Sequence, residues 1–389
     1  MTYRRAAIPA LTGGLLLTAL LWWAGASAEA LHLAGSNGVL GVEVTAELDR
    51  WLAPWSYAPA SFMSLGDAGR SGGTGDYLSL YTTAAQIRFA AVFASFVPGA
   101  LLLIRRLPPV RGRVTASLLA VWAWGMVAGM LAMTVSAPWL IASMGHGSYR
   151  LLPQLSGVIA SGRQMPVVAA LVAAVVTVLV ARVTAKGAGP VPQNIVPERA
   201  TRLAATVGTA VIAVSLAVLS YGPVAAEIQM FSPYDGMFSE PGELLRQWLL
   251  LGFWDFPSSA GIGSWLVQRT ADALLLAVVW VALRRLPVLL TRATLPAMAL
   301  GAVGATVLGL LASRLLRIAV DDSGAPYGVP QLFAGLGDGL PAALLFGLVA
   351  GGAATVALRT AVGRAEAAGV PDVADVAGVA ADRSAPSES

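Results

Sequence analysis

The chain has 389 residues, of which 57% are hydrophobic and only 12% are charged, and its formal net charge is +4. Soluble domains carry about 25% charged residues, so this composition excludes an ordinary soluble fold and indicates an integral membrane protein. Cysteine is absent and histidine occurs only twice, which excludes disulfides and thiolate chemistry and leaves little histidine-based metal or acid–base chemistry.

Eight continuous apolar stretches are long enough to cross a bilayer as helices, which takes about 20 residues each. They lie at 8–28, 86–104, 114–136, 166–185, 203–221, 264–283, 293–313 and 340–358. Continuous runs argue against a barrel of alternating strands. The first stretch follows Arg4 and Arg5 like a signal peptide, but it is longer than a usual signal core, so we expect it to remain as a membrane helix. The predicted fold is all-α and integral to the membrane.

Short motifs recur at a spacing of about 180 to 200 residues, which indicates an internal duplication. The recurring pairs are 105–110 with 284–288, 47–52 with 243–249, 55–59 with 254–257, and 153–155 with 330–332. Each half would contain four spans, an even number, and the two halves would therefore insert in the same orientation. We expect two parallel four-helix repeats related by a pseudo-two-fold axis along the membrane normal.

The duplication divides the chain into four parts. Residues 1–186 form the first membrane repeat, 187–202 a cytoplasmic linker with several glycines and prolines, and 203–362 the second repeat. Residues 363–389 are rich in small and polar residues and are predicted to be a disordered cytoplasmic tail.

The distribution of arginine predicts the orientation. With the N terminus inside, most basic residues fall on the inner side and most acids on the outer side, as the positive-inside rule requires. Both termini are then cytoplasmic. The basic excess faces the lipid bilayer, so no nucleic-acid partner is predicted. A composition rich in alanine, glycine and arginine with little lysine suggests a bacterial plasma membrane.

Two outer segments repeat an amphipathic helical pattern with an acid–arginine pair three residues apart. The pairs are Glu47 with Arg50 and Glu243 with Arg246. One interpretation is a pair of interfacial helices with tryptophan at head-group level. The alternative is a pair of helices capping an outward cavity, with Arg50 and Arg246 facing an anionic ligand.

Two further arginines, Arg88 and Arg269, occupy nearly equivalent positions towards the outer ends of the second and sixth stretches. Gln86 and Gln268 accompany them, and Asp272 lies three residues after Arg269. Long side chains near the interface can simply extend to water as anchors. The alternative is a polar cluster at the mouth of a central cavity, because ionisable residues in a span are expensive.

The order of one helix, an outer segment and three further helices resembles, in topology alone, the permeases of mechanotransmitting ABC exporters. No motif is shared, and no family is assigned. The leading hypothesis is a transporter or permease-like protein with a path between the repeats, with another membrane subunit or a cytoplasmic ATPase as its partner. The alternatives are a non-catalytic scaffold or accessory subunit and an outer-face enzyme on lipid-linked substrates using Glu47 or Glu243 as base. No catalytic residue, metal site or cofactor is predicted.

Overall fold

The computed structural model describes most of the chain. The described ranges are 3–31, 41–57, 74–110, 112–144, 150–185, 196–233, 235–256, 261–320 and 328–367. Both histidines, the glycine-rich part of the first outer loop, most of the predicted linker and the last part of the predicted tail lie outside these ranges.

The described part of the chain is all-helical and contains no strand. Its first half contains α1 (Tyr3–Leu31), α2 (Val42–Leu52), α3 (Thr74–Arg106), α4 (Val114–Ser143), α5 (Leu151–Ser161) and α6 (Gln164–Thr184). Its second half contains α7 (Glu198–Val214), α8 (Gly222–Met230), α9 (Gly242–Leu249), α10 (Gly261–Leu289), α11 (Leu295–Val320), α12 (Gly328–Asp338) and α13 (Leu340–Ala367). Short 3₁₀ turns lie at Ala53–Trp55 and Gly236–Phe238, and a π turn at Ser215–Leu219 continues α7.

Seven helices in the described ranges are long and apolar enough to cross a membrane. They are α1, α3, α4, α6, α7 with its π turn, α11 and α13. In lipid a helix satisfies its backbone hydrogen bonds internally, which explains why such long apolar runs are helical. The chain is thus a multi-pass membrane protein. The eighth predicted span, 264–283, lies within the 29-residue α10, which is not among the seven, so that span stays a prediction.

The long helices pack in two groups. In the first half α1 and α4 each pack against both α3 and α6; in the second half α7 and α11 each pack against both α10 and α13. Helices α4 and α11 contact each other and join the groups. Small residues allow the helices within a group to approach closely, since a Cβ on Gly125 of α4 would lie 2.6 Å from the Cβ of Ala170 on α6.

Cross-connections at one end of the bundle tie the two groups together. Gln247 on α9 donates through Nε2 to the carbonyl of Ser156 on α5 at 2.9 Å. Trp51 on α2 meets Phe333 on α12 edge-on, with ring centroids 5.7 Å apart. Each group therefore places a short helix against the other group, and the space between them holds the site described next.

Candidate functional site

A cavity of about 410 Å³ lies where the short helices of the two groups meet. We call it the arginine cavity. Its lining is formed by α9 and the segment after it, by α10, α11 and the end of α12, and by the end of α5 with the residue that precedes α6. The lining residues are Ala160, Arg163, Glu243, Arg246, Gln247, Leu250, Leu251, Gly252, Phe253, Gln268, Arg314, Arg317, Asp338 and Gly339.

Two of the lining arginines come from α11, which extends seven residues beyond the predicted end of its span at residue 313. Arg314 and Arg317 are three residues apart and share a helix face. Among the described residues Arg314 makes no ion pair or hydrogen bond, although its charge interacts with Arg317, Asp338, Asp272 and Arg163. Gly335 on α12 makes room for it, since a Cβ there would lie 3.2 Å from the Arg314 Cζ.

A buried carboxylate on α10 holds two arginines at the edge of the cavity. Asp272 pairs with Arg269 through Oδ2 at 2.6 Å and with Arg317 through Oδ1 at 3.0 Å. Arg269 and Asp272, three residues apart on α10, therefore form an ion pair. The Arg269 guanidinium also lies 4.7 Å from the ring centroid of Trp254. The backbone N–H of Trp254 donates to the Ser220 carbonyl at 2.9 Å, which holds this segment against the end of the π turn that continues α7.

The first half of the chain contributes Arg163, which forms an ion pair with Asp338 at the end of α12. The stem of Arg163 lies directly on the backbone of α12, because a Cβ on Gly337 would come within 2.5 Å of the Arg163 Cβ. Desolvation by the cavity walls raises the pKa of Asp338, while Arg163 and Arg314 lower it; the net direction is upward.

Helix α9 supplies the remaining charged pair, in which Arg246 Nη1 lies 3.6 Å from Glu243 Oε2. The helix is anchored at its end by the Ser215 hydroxyl, which donates to the Leu249 carbonyl at 2.6 Å. Gln268 on α10 lines the opposite wall and donates to the Phe253 carbonyl. The pair Glu47 and Arg50 on α2 is also present at 2.6 Å, and its arginine side chain is 70% exposed.

Positive charge exceeds negative charge around the arginine cavity. The cations are Arg163, Arg246, Arg269, Arg314 and Arg317; the acids are Glu243, Asp272 and Asp338. The excess is two positive charges. Arginine presents planar donors that match carboxylate and phosphate oxygens, and a cleft lined by one sign of charge concentrates the opposite sign. The arrangement can therefore bind an anion.

A second cavity of about 400 Å³ lies in the first half and contains the predicted residue Arg88. Arg88 is only 1% exposed, donates from Nε to the Ser136 hydroxyl at 3.2 Å and from Nη1 to the Pro54 carbonyl, and lies 5.9 Å from the Trp55 ring. Within the described ranges it forms no ion pair with an acid. Its contacts tie α3 to α4 and to the 3₁₀ turn, which is what an anchoring residue does.

The predicted site residues therefore separate into three groups. Arg246 and Gln268 line the arginine cavity, and Arg269 lies behind it through Asp272. Arg88 belongs to the second cavity. Gln86 and Arg50 are exposed and line neither cavity.

Sequence reasoning did not single out Arg163, Arg314, Arg317 or Asp338. A signal was available, because all three arginines fall on the outer side in the predicted orientation, where the positive-inside rule disfavours them. Two of these arginines, Arg314 and Arg317, also lie three residues apart at the end of a predicted span. The predicted topology gave no reason for arginine at these positions.

Comparison with protein-family models, curated proteins and solved structures finds no match to the chain. The function is accordingly argued from the site alone.

Proposed function

We propose that this multi-pass membrane protein binds an anionic ligand in the arginine cavity and is permease-like, with a substrate path between two four-helix repeats. The observation that carries the proposal is the convergence of arginines from both halves of the chain on one cavity. Arg163 comes from the first half, and Arg246, Arg314 and Arg317 come from the second. A path between repeats commonly has its binding site where the repeats meet.

The packing of the helices supports the two-repeat part of the proposal. Helix α1 has the same neighbours in its group as α7 has in the other, and α4 the same as α11. The arginine–tryptophan contacts are also paired, since Arg88 lies over Trp55 and Arg269 over Trp254. Trp55 and Trp254 belong to motifs that recur in the sequence, and Arg88 and Arg269 occupy nearly equivalent positions, so the recurrence in sequence coincides with a recurrence of contacts.

The contact between the groups is buried, and it lies between two helices that are long and apolar enough to cross a membrane. On α4, Ala123 and Val127 are fully buried, and Val307 on α11 is too. Gly304 faces Ala120, and a Cβ there would lie 3.7 Å from the Ala120 Cα. This closed packing fits an outward cavity that communicates with the other side only after the groups move, as alternating access requires.

Reconstituted full-length protein tests the proposal. Binding of radiolabelled phosphate and sulfate is measured first, and then their uptake into proteoliposomes. We expect Arg314→Gln with Arg317→Gln to abolish both, and Arg50→Gln, which changes an exposed arginine on α2, to leave both intact. Binding without uptake would overturn the permease part alone. Absence of any anion binding by correctly folded protein would overturn the whole proposal.

A basic surface at the other end of the bundle favours a cytoplasmic partner as a second proposal. Two helix–helix turns lie side by side there, because the Thr291 N–H donates to the Arg106 carbonyl at 2.9 Å and Arg113 donates to the Val288 carbonyl at 3.3 Å. Together the turns carry Arg105, Arg106, Arg113, Arg284, Arg285 and Arg292. We propose that an acidic surface of a cytoplasmic ATPase or accessory subunit docks here.

Affinity purification from the native membrane tests this docking surface. We expect a stoichiometric cytoplasmic protein that is lost with Arg285→Glu and Arg292→Glu, while the amount and thermal stability of the membrane protein stay unchanged. Recovery of anionic lipid alone, released by the same variants, would assign the surface to the bilayer instead.

A further inference from the structure

We infer that the ligand of the arginine cavity carries a doubly charged phosphate monoester. This inference rests on the proposed anion-binding function and names its chemical class. It starts from the balance of charge, since five arginines around the cavity face three acids. A phosphate monoester carries about −1.5 to −2 charges at neutral pH, which neutralises the excess of two with one group.

The uneven pairing of the arginines also points to one compact group. Arg163 pairs with Asp338, Arg246 with Glu243, and Arg269 and Arg317 share Asp272. Arg314 has no such ion-pair partner among the described residues, and its charge interacts with those of Arg163 and Arg317 as well as with those of Asp338 and Asp272. A cation whose charge interacts with two other cations is best neutralised by charges on a single centre. A phosphate does this, whereas a dicarboxylate separates its two charges along a chain.

The space available accommodates more than inorganic phosphate. The arginine cavity measures about 410 Å³, which is within the range of about 300–1,000 Å³ typical of small-molecule sites. A neighbouring cavity of about 410 Å³, between α10 and α11, shares Gln268 and Arg317 with it and adds Ser264, Val267 and Val320. The mixed polar and apolar lining of that neighbour suits the organic part of a phosphate ester. A soluble sugar or glycerol phosphate and the head group of a phosphomonoester lipid share this chemistry.

Charge state gives a test that does not require the natural ligand. The second pKa of a phosphate monoester is about 6, so from about pH 5.5 to about pH 7.5 the dianionic fraction rises about fourfold. We expect the affinity for glycerol phosphate to rise by about that factor relative to sulfate, whose two charges do not titrate in this range.

Protein groups around the cavity also titrate with pH, and the pH dependence of the affinity for sulfate measures their effect. The charged groups that face the site are Arg163 before α6, Glu243 and Arg246 on α9, Arg269 and Asp272 on α10, Arg314 and Arg317 on α11, and Asp338 on α12. Because the pKa of Asp338 is raised, this carboxyl group becomes protonated at a higher pH than an ordinary aspartate. Its protonation makes the cavity more positive. That change strengthens the binding of every anion at low pH, which is opposite to the phosphate effect. The ratio of the two affinities isolates the charge of the ligand.

The experiment is calorimetric titration of the full-length protein in zwitterionic nanodiscs with glycerol phosphate, sulfate, succinate and a monoanionic phosphodiester. We expect glycerol phosphate to bind roughly tenfold more tightly than the diester at neutral pH, and Arg314→Gln to remove that preference, because one charge-assisted arginine contact is lost. Arg314→Lys keeps the charge without the planar donors and should recover part of the preference for glycerol phosphate over the diester. Arg50→Gln is the matched control on the same side.

The outcomes separate the two proposals. If succinate or the diester binds as tightly as glycerol phosphate, or if the ratio to sulfate is independent of pH, the phosphate assignment is wrong while anion binding stands. If none of the anions binds to protein that elutes as a single species, anion binding itself fails. A final arm adds phosphatidic acid to the nanodiscs. Competition between phosphatidic acid and glycerol phosphate would identify a lipid head group as the ligand. Absence of competition would identify a soluble ligand, and both outcomes agree with a phosphate monoester.

Discussion

Arg317 on α11 donates from Nη2 to Asp272 Oδ1 on α10 at 3.0 Å, and the same carboxylate holds Arg269. Asp272 is 8% exposed, so it compensates two arginines in a largely dry place. Removing one partner of a buried ion pair leaves the remaining charges uncompensated, which is more costly than losing an exposed pair.

We expect Asp272→Asn to lower stability by about 1–3 kcal/mol, because both arginines lose a hydrogen-bond partner while each side chain is still about a quarter exposed. The same change should tighten anion binding, because the excess around the cavity rises by one positive charge. Thermal unfolding with and without sulfate measures both effects, and sulfate should recover part of the loss. Glu47→Gln, which removes an acid from the exposed pair on α2, is the matched control. Weaker sulfate binding in the Asp272 variant would contradict the electrostatic account of the site.

Arg88 provides the opposite case, a buried arginine that we expect to stabilise the fold without taking part in binding. It bridges α3, α4 and the 3₁₀ turn through the Ser136 hydroxyl and the Pro54 carbonyl. Arg88→Ala should lower stability by about 2–4 kcal/mol, because it leaves a cavity and removes hydrogen bonds made by a charged group.

The measurement is the unfolding temperature together with sulfate titration of the variant that remains folded. The affinity for sulfate should match that of the unchanged protein, since the cavity that contains Arg88 shares no lining residue with the arginine cavity. Loss of sulfate binding at an unchanged unfolding temperature would restore Arg88 to the binding site.

The helices themselves follow from the sequence more directly than the site does. Long apolar runs and the acid–arginine pairs at 47–50 and 243–246 predicted α2, α9 and the long helices, because these depend on local periodicity. The cavity depends on contacts between distant segments. Arg163 and Asp338 are 175 positions apart and meet only because the start of α6 and the end of α12 come together across the two groups.

The end of α11 explains why the hydropathy pattern did not point to Arg314 and Arg317. The apolar run of the seventh span ends at residue 313, but α11 continues to Val320 because Arg314 and Arg317 find a carboxylate and a polar cavity beside it. A hydropathy pattern stops where charge begins, whereas a helix stops where its hydrogen bonding and packing stop. Charged residues at the ends of spans are therefore the ones that such a pattern misses.

Glycines at the contact between α11 and α13 offer a test of the packing. A Cβ on Gly351 would lie 2.4 Å from the Ala299 Cα, whereas a Cβ on the next residue, Gly352, would meet nothing within 4 Å. We expect Gly351→Ala to lower stability by about 1–3 kcal/mol, because backbone must move. Gly352→Ala should be neutral or stabilising by up to about 1 kcal/mol, since alanine favours the helix. Equal unfolding temperatures for the two variants would contradict the described contact between these helices.

Helix α10 is the remaining proposed span, and the absence of cysteine makes it directly testable. Its 29 residues extend about 43 Å at about 1.5 Å per residue, which exceeds the roughly 30 Å of the hydrocarbon core. Ile262, near its start, is 70% exposed, and Arg292, just after its end, is also exposed. Each single cysteine placed there would be the only thiol in the protein.

We expect a membrane-impermeant maleimide applied to intact cells to label Ile262→Cys but not Arg292→Cys until the membrane is opened. The reason is that the two ends of a spanning helix face different compartments, and the basic turn containing Arg292 is predicted to be cytoplasmic. Labelling of both positions in intact cells would place α10 on the outer surface. Labelling of Arg292→Cys alone would reverse the orientation and place the arginine cavity in the cytoplasm, where soluble phosphate esters are its candidate ligands.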